Sequence, residues 1–255
     1  MTYEYLNRKM KSAKQAKSAQ KNPAVSRVWL LDFDGVVLRH PKVLQRVSQR
    51  VVEYVQQNTG SYLSQADATR LNRELYGRYG HTHLGMKKLF RPHSTLADFN
   101  RFVYEPGFIN GLYREFGKEA SVAQDMGAWK SWLEAHECDD HGILEKVVIF
   151  TNSPSAWVEP WLASSPLCNT FDEILSSDHP LFNDPNKKTD GLLKPALELY
   201  ERIEYYHESH QLLYFLDDSR LNLEPICQRP QWVPVWFDND PQKSVEKCVR
   251  PYEYP

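Results

Sequence analysis

Residues 28–37 read VWLLDFDGVV: an apolar run, Val28-Trp29-Leu30-Leu31, stops at Asp32 and Asp34, with Gly35 behind them. A short apolar run ended by a turn signal is the pattern of a strand buried on both faces of a parallel sheet. Two carboxylates one residue apart repel each other, so the chain must offset their charge or use it.

Three more runs have the same character: Val147–Phe150, Leu212–Leu216 and Val233–Phe237, with Phe171–Leu175 a weaker candidate. Pro234 has no N–H to give a ladder, which demotes the last run to a sheet edge. Helical periodicity between the runs predicts an α/β fold with a parallel sheet sandwiched by helices. Residues 41–137 contain no comparable run, and Val43, Val47, Val51 and Val55 recur four apart on one helical face. Ser64 with Asp67, and Thr95 with Asp98, mark capped helix starts. About 95 residues of helical insertion therefore separate the first strand from the second.

The totals exclude several classes. With 255 residues, 41% hydrophobic and 25% charged, the chain suits one sizeable globular domain with an insertion. A net charge of −2 gives no general drive toward nucleic acid or membranes. Cys138, Cys168, Cys227 and Cys248 form no CxxC pair, which disfavours a zinc site, and reduced thiols in the cytoplasm are the expectation. No apolar run approaches the roughly 18 residues of a membrane span. Residues 1–27 carry seven Lys or Arg against one Glu and lack the apolar core of a secretory signal. They read as a flexible solvated tail, broken from the first strand at Asn22-Pro23, with a transit peptide or nucleic-acid arm as alternatives.

Three of the four strong runs end in polar clusters: Asp32-Phe33-Asp34, Thr151-Asn152-Ser153 and Asp217-Asp218-Ser219. In an open parallel sheet all three share the carboxyl edge, where such folds bind ligands. One Asp after a strand is an ordinary turn residue; four carboxylates converging there are not. Crowded oxygens of this kind suit a hard divalent cation, and partial, water-retaining ligation suits Mg2+. Lys194 stands just before Pro195, which suits the first position of the helix PALELYERIEYY. An ammonium at a helix start beside carboxylates makes an anion site.

These residues resemble the haloacid dehalogenase-like (HAD) superfamily. Its four motifs stand in order as Asp32-Phe33-Asp34-Gly35-Val36, Thr151-Asn152-Ser153, Lys194-Pro195, and Asp217-Asp218-Ser219 with Asn222. The resemblance implies a Rossmann-like core at 28–40 and 138–255, with residues 41–137 as a helical cap. FTNS at 150–153, LLKP at 192–195 and YFLDDSRLNLE at 214–224 are similar to the pyrimidine 5′-nucleotidase branch. So is the stretch Tyr79-Gly80-His81-Thr82-His83-Leu84-Gly85.

The resemblance implies that Asp32 attacks phosphorus and forms an aspartyl-phosphate, while Asp34 serves as general acid and base. Mg2+ would be held by Asp32, the Asp34 backbone carbonyl, Asp217 and Asp218, directly or through water. Thr151 and Lys194 would meet the phosphoryl group, Asn222 would orient the lysine or a carboxylate, and Asn152 and Ser153 are candidate substrate contacts. His81 and His83 are candidate base or ribose contacts, weighed against ordinary loop histidines. The expected partner is a small phosphomonoester, with a nucleoside 5′-monophosphate favoured over a sugar phosphate. A phosphomutase shares the first motif and the helical cap. A dehalogenase needs no acid at the second position, so Asp34 argues against it, and four intact motifs argue against a non-catalytic relative.

Overall fold

The computed structural model describes residues 27–59, 63–135, 145–183, 191–207 and 212–238. The basic tail up to residue 26, the Asn22-Pro23 break, Cys138 and Cys248 lie outside the described residues.

Five strands form one parallel sheet: β1 (Arg27–Leu31), β2 (Glu145–Phe150), β3 (Glu173–Leu175), β4 (Leu212–Asp217) and β5 (Trp232–Trp236), in the order β3-β2-β1-β4-β5. Each predicted run is a strand, and β5 with Pro234 sits at an edge, as the missing N–H requires. Among the described residues, six helices lie between β1 and β2: α1 (Pro41–Asn58), α2 (Gln65–Tyr79), α3 (Thr82–Leu89), α4 (Leu96–Val103), α5 (Pro106–Phe116) and α6 (Ala120–Ala135). The remainder of the chain adds α7 (Ser155–Ala163), α8 (Leu197–Tyr206) and the short α9 (Arg220–Leu223). Among the described residues no helix is long and apolar enough to cross a membrane.

Alternation along the strands divides the core in two. Trp29, Leu31, Val147 and Ile149 face a cluster built with α5, α6 and α7. Val28, Leu30, Val148 and Phe150 face a second, with α8 and residues of α1, α2 and α4. Both faces are buried, so the strands are apolar throughout rather than alternating with polar residues. The predicted caps form: Ser64 accepts the Asp67 N–H at 3.1 Å, and Thr95 with Asp98 makes a reciprocal capping box.

Register fixes the site. Leu31 pairs with Ile149 on one side and Leu216 on the other, so the chain leaves β1, β2 and β4 at one level of the sheet. Helix α6, read as part of the insertion, packs on the sheet itself: Trp132 meets Trp29 edge to face with centroids 5.2 Å apart. Trp129, fully buried, donates its indole N–H to the Val36 carbonyl at 2.9 Å, pinning the loop beyond β1. Trp129→Phe keeps most of the packing but leaves that buried carbonyl unpaired, a loss of about 1–3 kcal/mol. Denaturant unfolding should show it as a lower midpoint at unchanged slope.

Candidate active site

Asp32 leaves β1 with its N–H on the Leu216 carbonyl at 2.9 Å and its Oδ1 accepting the Phe33 N–H at 2.7 Å. The chain then turns back: Leu38 N–H meets the Phe33 carbonyl at 2.8 Å, and Gly35 N–H the Leu38 carbonyl at 2.9 Å. Gly35 has φ +86°, and a Cβ there would lie 2.3 Å from Asp218 Oδ2. The backbone conformation favours glycine, and the Asp218 carboxylate rests against its bare Cα.

Lys194 is buried, and its ammonium donates to Asp32 Oδ1 at 3.0 Å, Asp217 Oδ2 at 2.8 Å and the Phe150 carbonyl at 2.9 Å. Three donors thus meet three acceptors, one beyond or at the end of each central strand. Burial alone would lower the Lys194 pKa, but Asp217 and Asp32 outweigh it and raise it, so the cation persists. The expected placement of Pro195 at the first helical position is corrected: α8 begins at Leu197, with Ala196 as its cap. The Lys194-Pro195 peptide is cis, and a turn closes from the Ala196 N–H to the Leu193 carbonyl at 2.8 Å. That turn presents the Lys194 backbone to Asn152, whose amide accepts its N–H at 2.8 Å and donates to its carbonyl at 3.0 Å. Asn152 therefore clamps the lysine loop.

Asp217 is fully buried and accepts from Ser219 N–H at 2.8 Å and from the Asn222 amide at 2.9 and 3.1 Å, besides Lys194. Asn222, on α9, orients this carboxylate; its own carbonyl accepts the Tyr200 hydroxyl at 2.6 Å. Oxygens of Asp32, Asp217 and Asp218 come within 4.8 Å of one another. Burial raises the Asp32 pKa well above the usual range; Asp217, Asp218 and Asp34 add to it and Lys194 opposes. Desolvation, then Asp217, pushes Asp218 up to about 6. Three ionised carboxylates against one ammonium leave two negative charges, which a divalent cation would cancel. The donors are all oxygens, and Asp218 remains exposed, so the residues present fit such an ion.

Asp34 is held from two sides. Ser153 Oγ donates to Oδ2 at 2.6 Å, and the Trp157 indole N–H donates to Oδ1 at 2.9 Å. Burial raises the Asp34 pKa, and these two bonds temper the rise. The Tyr104 hydroxyl lies 3.0 Å from Ser153 Oγ. Ser153 has one hydroxyl hydrogen and directs it to a carboxylate, so Tyr104 is the donor in that pair. Thr151 is buried; its N–H reaches the Leu175 carbonyl at 3.0 Å and its Oγ1 accepts the Ser153 N–H at 3.1 Å.

The helical insertion meets the site at two places besides Tyr104. Gly80, φ +74°, lies so near Pro195 that a Cβ would be 2.0 Å from its Cδ, seating the end of α2 on the lysine loop. Tyr76 on α2 lies beside Ser219, and desolvation raises its phenol pKa. His81 caps α3, accepting the His83 N–H at 3.2 Å, and its ring meets Phe99 at 5.1 Å. Burial, with His83 adding, lowers its pKa to about 3, so it is neutral. His83 is fully buried against the same Phe99. The structure thus brings Asp32, Asp34, Thr151, Ser153, Lys194, Asp217, Asp218 and Asn222 together, with Asn152 beneath them and both histidines packed on Phe99. Tyr104, Trp157 and Tyr76 escaped the sequence reading. None of the three gave a polar signal in the sequence, because aromatic side chains are expected in a core.

No family model matches the chain, and no curated protein matches it in sequence. Among solved structures it is similar to the L-2-haloacid dehalogenase of Xanthobacter autotrophicus, at 14% identity and TM-score 0.43, covering 91% of this chain and 85% of that one. It is similar to YfnB of Bacillus subtilis, assigned as a HAD-hydrolase and solved with magnesium, at 16% identity and TM-score 0.43, covering 90% and 100%. A predicted phosphoglycolate phosphatase of Haemophilus somnus 129PT gives 14% identity and TM-score 0.44, covering 85% and 86%. Likenesses this distant distinguish no activity; the chemistry has to come from the chain's own residues.

Proposed function

We propose that the chain is a Mg2+-dependent phosphomonoesterase of HAD type, working through an aspartyl-phosphate, with a nucleoside 5′-monophosphate as its substrate. The observation that carries this reading is Asp34, fixed near Asp32 by Ser153 and Trp157. Halide leaves without a proton, so a dehalogenase has no use for an acid there; an ester oxygen does.

Asp32 Oδ1 is engaged by Phe33 N–H and Lys194, which leaves Oδ2 as the attacking atom. As the Oδ2–P bond forms, the ester P–O bond breaks, and Asp34 gives the leaving oxygen its proton. Asp34, now ionised, takes a proton from water; the water oxygen attacks phosphorus, releasing phosphate and restoring Asp32. Lys194 keeps Asp32 aimed, and the Thr151 hydroxyl is free to donate to a phosphoryl oxygen. Bound Mg2+, held by Asp32, Asp218, Asp217 and the Asp34 backbone carbonyl, would supply charge neutralisation for phosphate beside carboxylates. Asp218 is the carboxylate best placed for direct contact, because Asp217 already accepts four hydrogen bonds. The nucleotide assignment draws on the motif resemblance and the reducing, cytoplasmic setting on the cysteine pattern, of which Cys168 and Cys227 are free and exposed.

A panel of nucleoside monophosphates and sugar phosphates, assayed for free phosphate with and without Mg2+, tests the reading. Release from nucleoside 5′-monophosphates, dependent on the ion, is expected. No release from any ester would overturn the assignment; phosphate moved between substrates without release would make it a phosphomutase. Asp32→Asn should lower turnover by about a thousandfold or more while melting normally, and full activity would remove it as nucleophile. Separately, Mg2+ at a hundred times its Kd should stabilise the protein by about 2.7 kcal/mol, seen as a raised Tm. Asp218→Asn should abolish that shift, and an equal shift in both proteins would take Asp218 out of the metal set.

A further inference from the structure

Among the described residues, helix α4 meets the core through two polar contacts one turn apart. The Asn100 amide donates to Ser177 Oγ at 3.1 Å, and Tyr104, just past the helix end, donates to Ser153 Oγ at 3.0 Å. Tyr104 also packs its ring on Trp157, centroids 5.6 Å apart. Ser153 and Trp157 are the two groups that hold Asp34, one on each carboxylate oxygen. A residue of the insertion therefore bears on both supports of a residue beyond β1, although 70 positions separate Tyr104 from Asp34.

A carboxyl group fixed at both oxygens cannot turn about its last torsion, yet each oxygen keeps a second lone pair. The two bonds set direction without occupying the place of a transferable proton. Ser153 is the weaker support, because a serine hydroxyl has three staggered wells and rotates to suit its neighbours. Tyr104 removes that freedom: by filling one lone pair of Ser153 Oγ, it keeps the serine hydrogen on Asp34.

We propose that Tyr104 is a positioning residue, which acts through Ser153 to aim Asp34 at the leaving oxygen while α4 is seated on the core. The inference rests on the phosphomonoesterase reading, since only an ester whose leaving oxygen needs a proton will register the aim of Asp34. It makes the acid depend on the insertion: with α4 lifted, Ser153 loses its donor and Asp34 one of its restraints. The attack by Asp32 makes no use of Tyr104, because its supports are Phe33 N–H and Lys194.

Leaving-group dependence separates this role from ordinary packing. Tyr104→Phe keeps the ring on Trp157 and removes only the hydroxyl. With uridine 5′-monophosphate, whose alkoxide leaves badly without a proton, kcat should fall about tenfold. With p-nitrophenyl phosphate, whose phenolate leaves readily, the fall should be about threefold or less, and KM should change little for either. Ser153→Ala should give the same asymmetry, and the double variant should be no worse than Ser153→Ala alone, because the two hydroxyls act in series. Equal losses on both substrates, or losses that multiply in the double variant, would overturn the role of Tyr104 and leave the phosphatase standing. If the wild type hydrolysed neither ester, the phosphatase reading would fall and this inference with it.

Discussion

The buried ammonium of Lys194 is the contact on which the rest of the site depends. It joins the carboxyl ends of β1, β2 and β4 through Asp32, the Phe150 carbonyl and Asp217. Burying a lysine is expensive, and so is burying Asp217; each is tolerable because the other is there. The surroundings are arranged to keep that pair dry and directed. The Phe150 and Phe215 rings lie 5.2 and 5.0 Å from the ammonium, and Asn152 fixes the backbone from which it extends. Asn222 then steadies Asp217 by donating to both of its oxygens. One cation thereby decides which of the clustered carboxylates is structural. Asp217 is fixed by four hydrogen bonds from the protein, Asp218 faces out, and Asp32 lies between the two conditions.

The insertion is more than a lid laid over this centre. Its last helix, α6, is part of the sheet's covering layer and pins the Val36 carbonyl. Its second helix ends on the lysine loop, where Gly80 allows Pro195 to approach. The loop that carries Asp34 and the loop that carries Lys194 are thus each supported from within the same inserted segment.

How much of this the sequence disclosed follows from the range of the forces involved. Strands were legible because both faces of a parallel sheet are buried, so each strand is an apolar run that must end abruptly in polar residues. Helix starts at Ser64 and Thr95 were legible because a cap is made within four residues. Pro195 was misread for the complementary reason. The local preference for proline at a helix start gave way to a contact with Asn152, 42 positions earlier. Tyr104 and Trp157 were illegible as polar residues because aromatic side chains are expected in a core, and both are indeed packed there. Their hydroxyl and indole N–H acquire meaning only when the fold sets them beside Ser153 and Asp34. The histidines gain a local role the sequence did not show: His81 serves as a helix cap and His83 is buried against Phe99.

Gly35 has a consequence for reading other chains. Its bare Cα forms the wall against which Asp218 rests, so the backbone of one loop shapes the carboxylate of another. Nineteen of the twenty amino acids would place a carbon where that carboxylate lies, and no rotamer change in the newcomer removes a Cβ. A chain with a Cβ there must move that carboxylate aside, even with every aspartate in place.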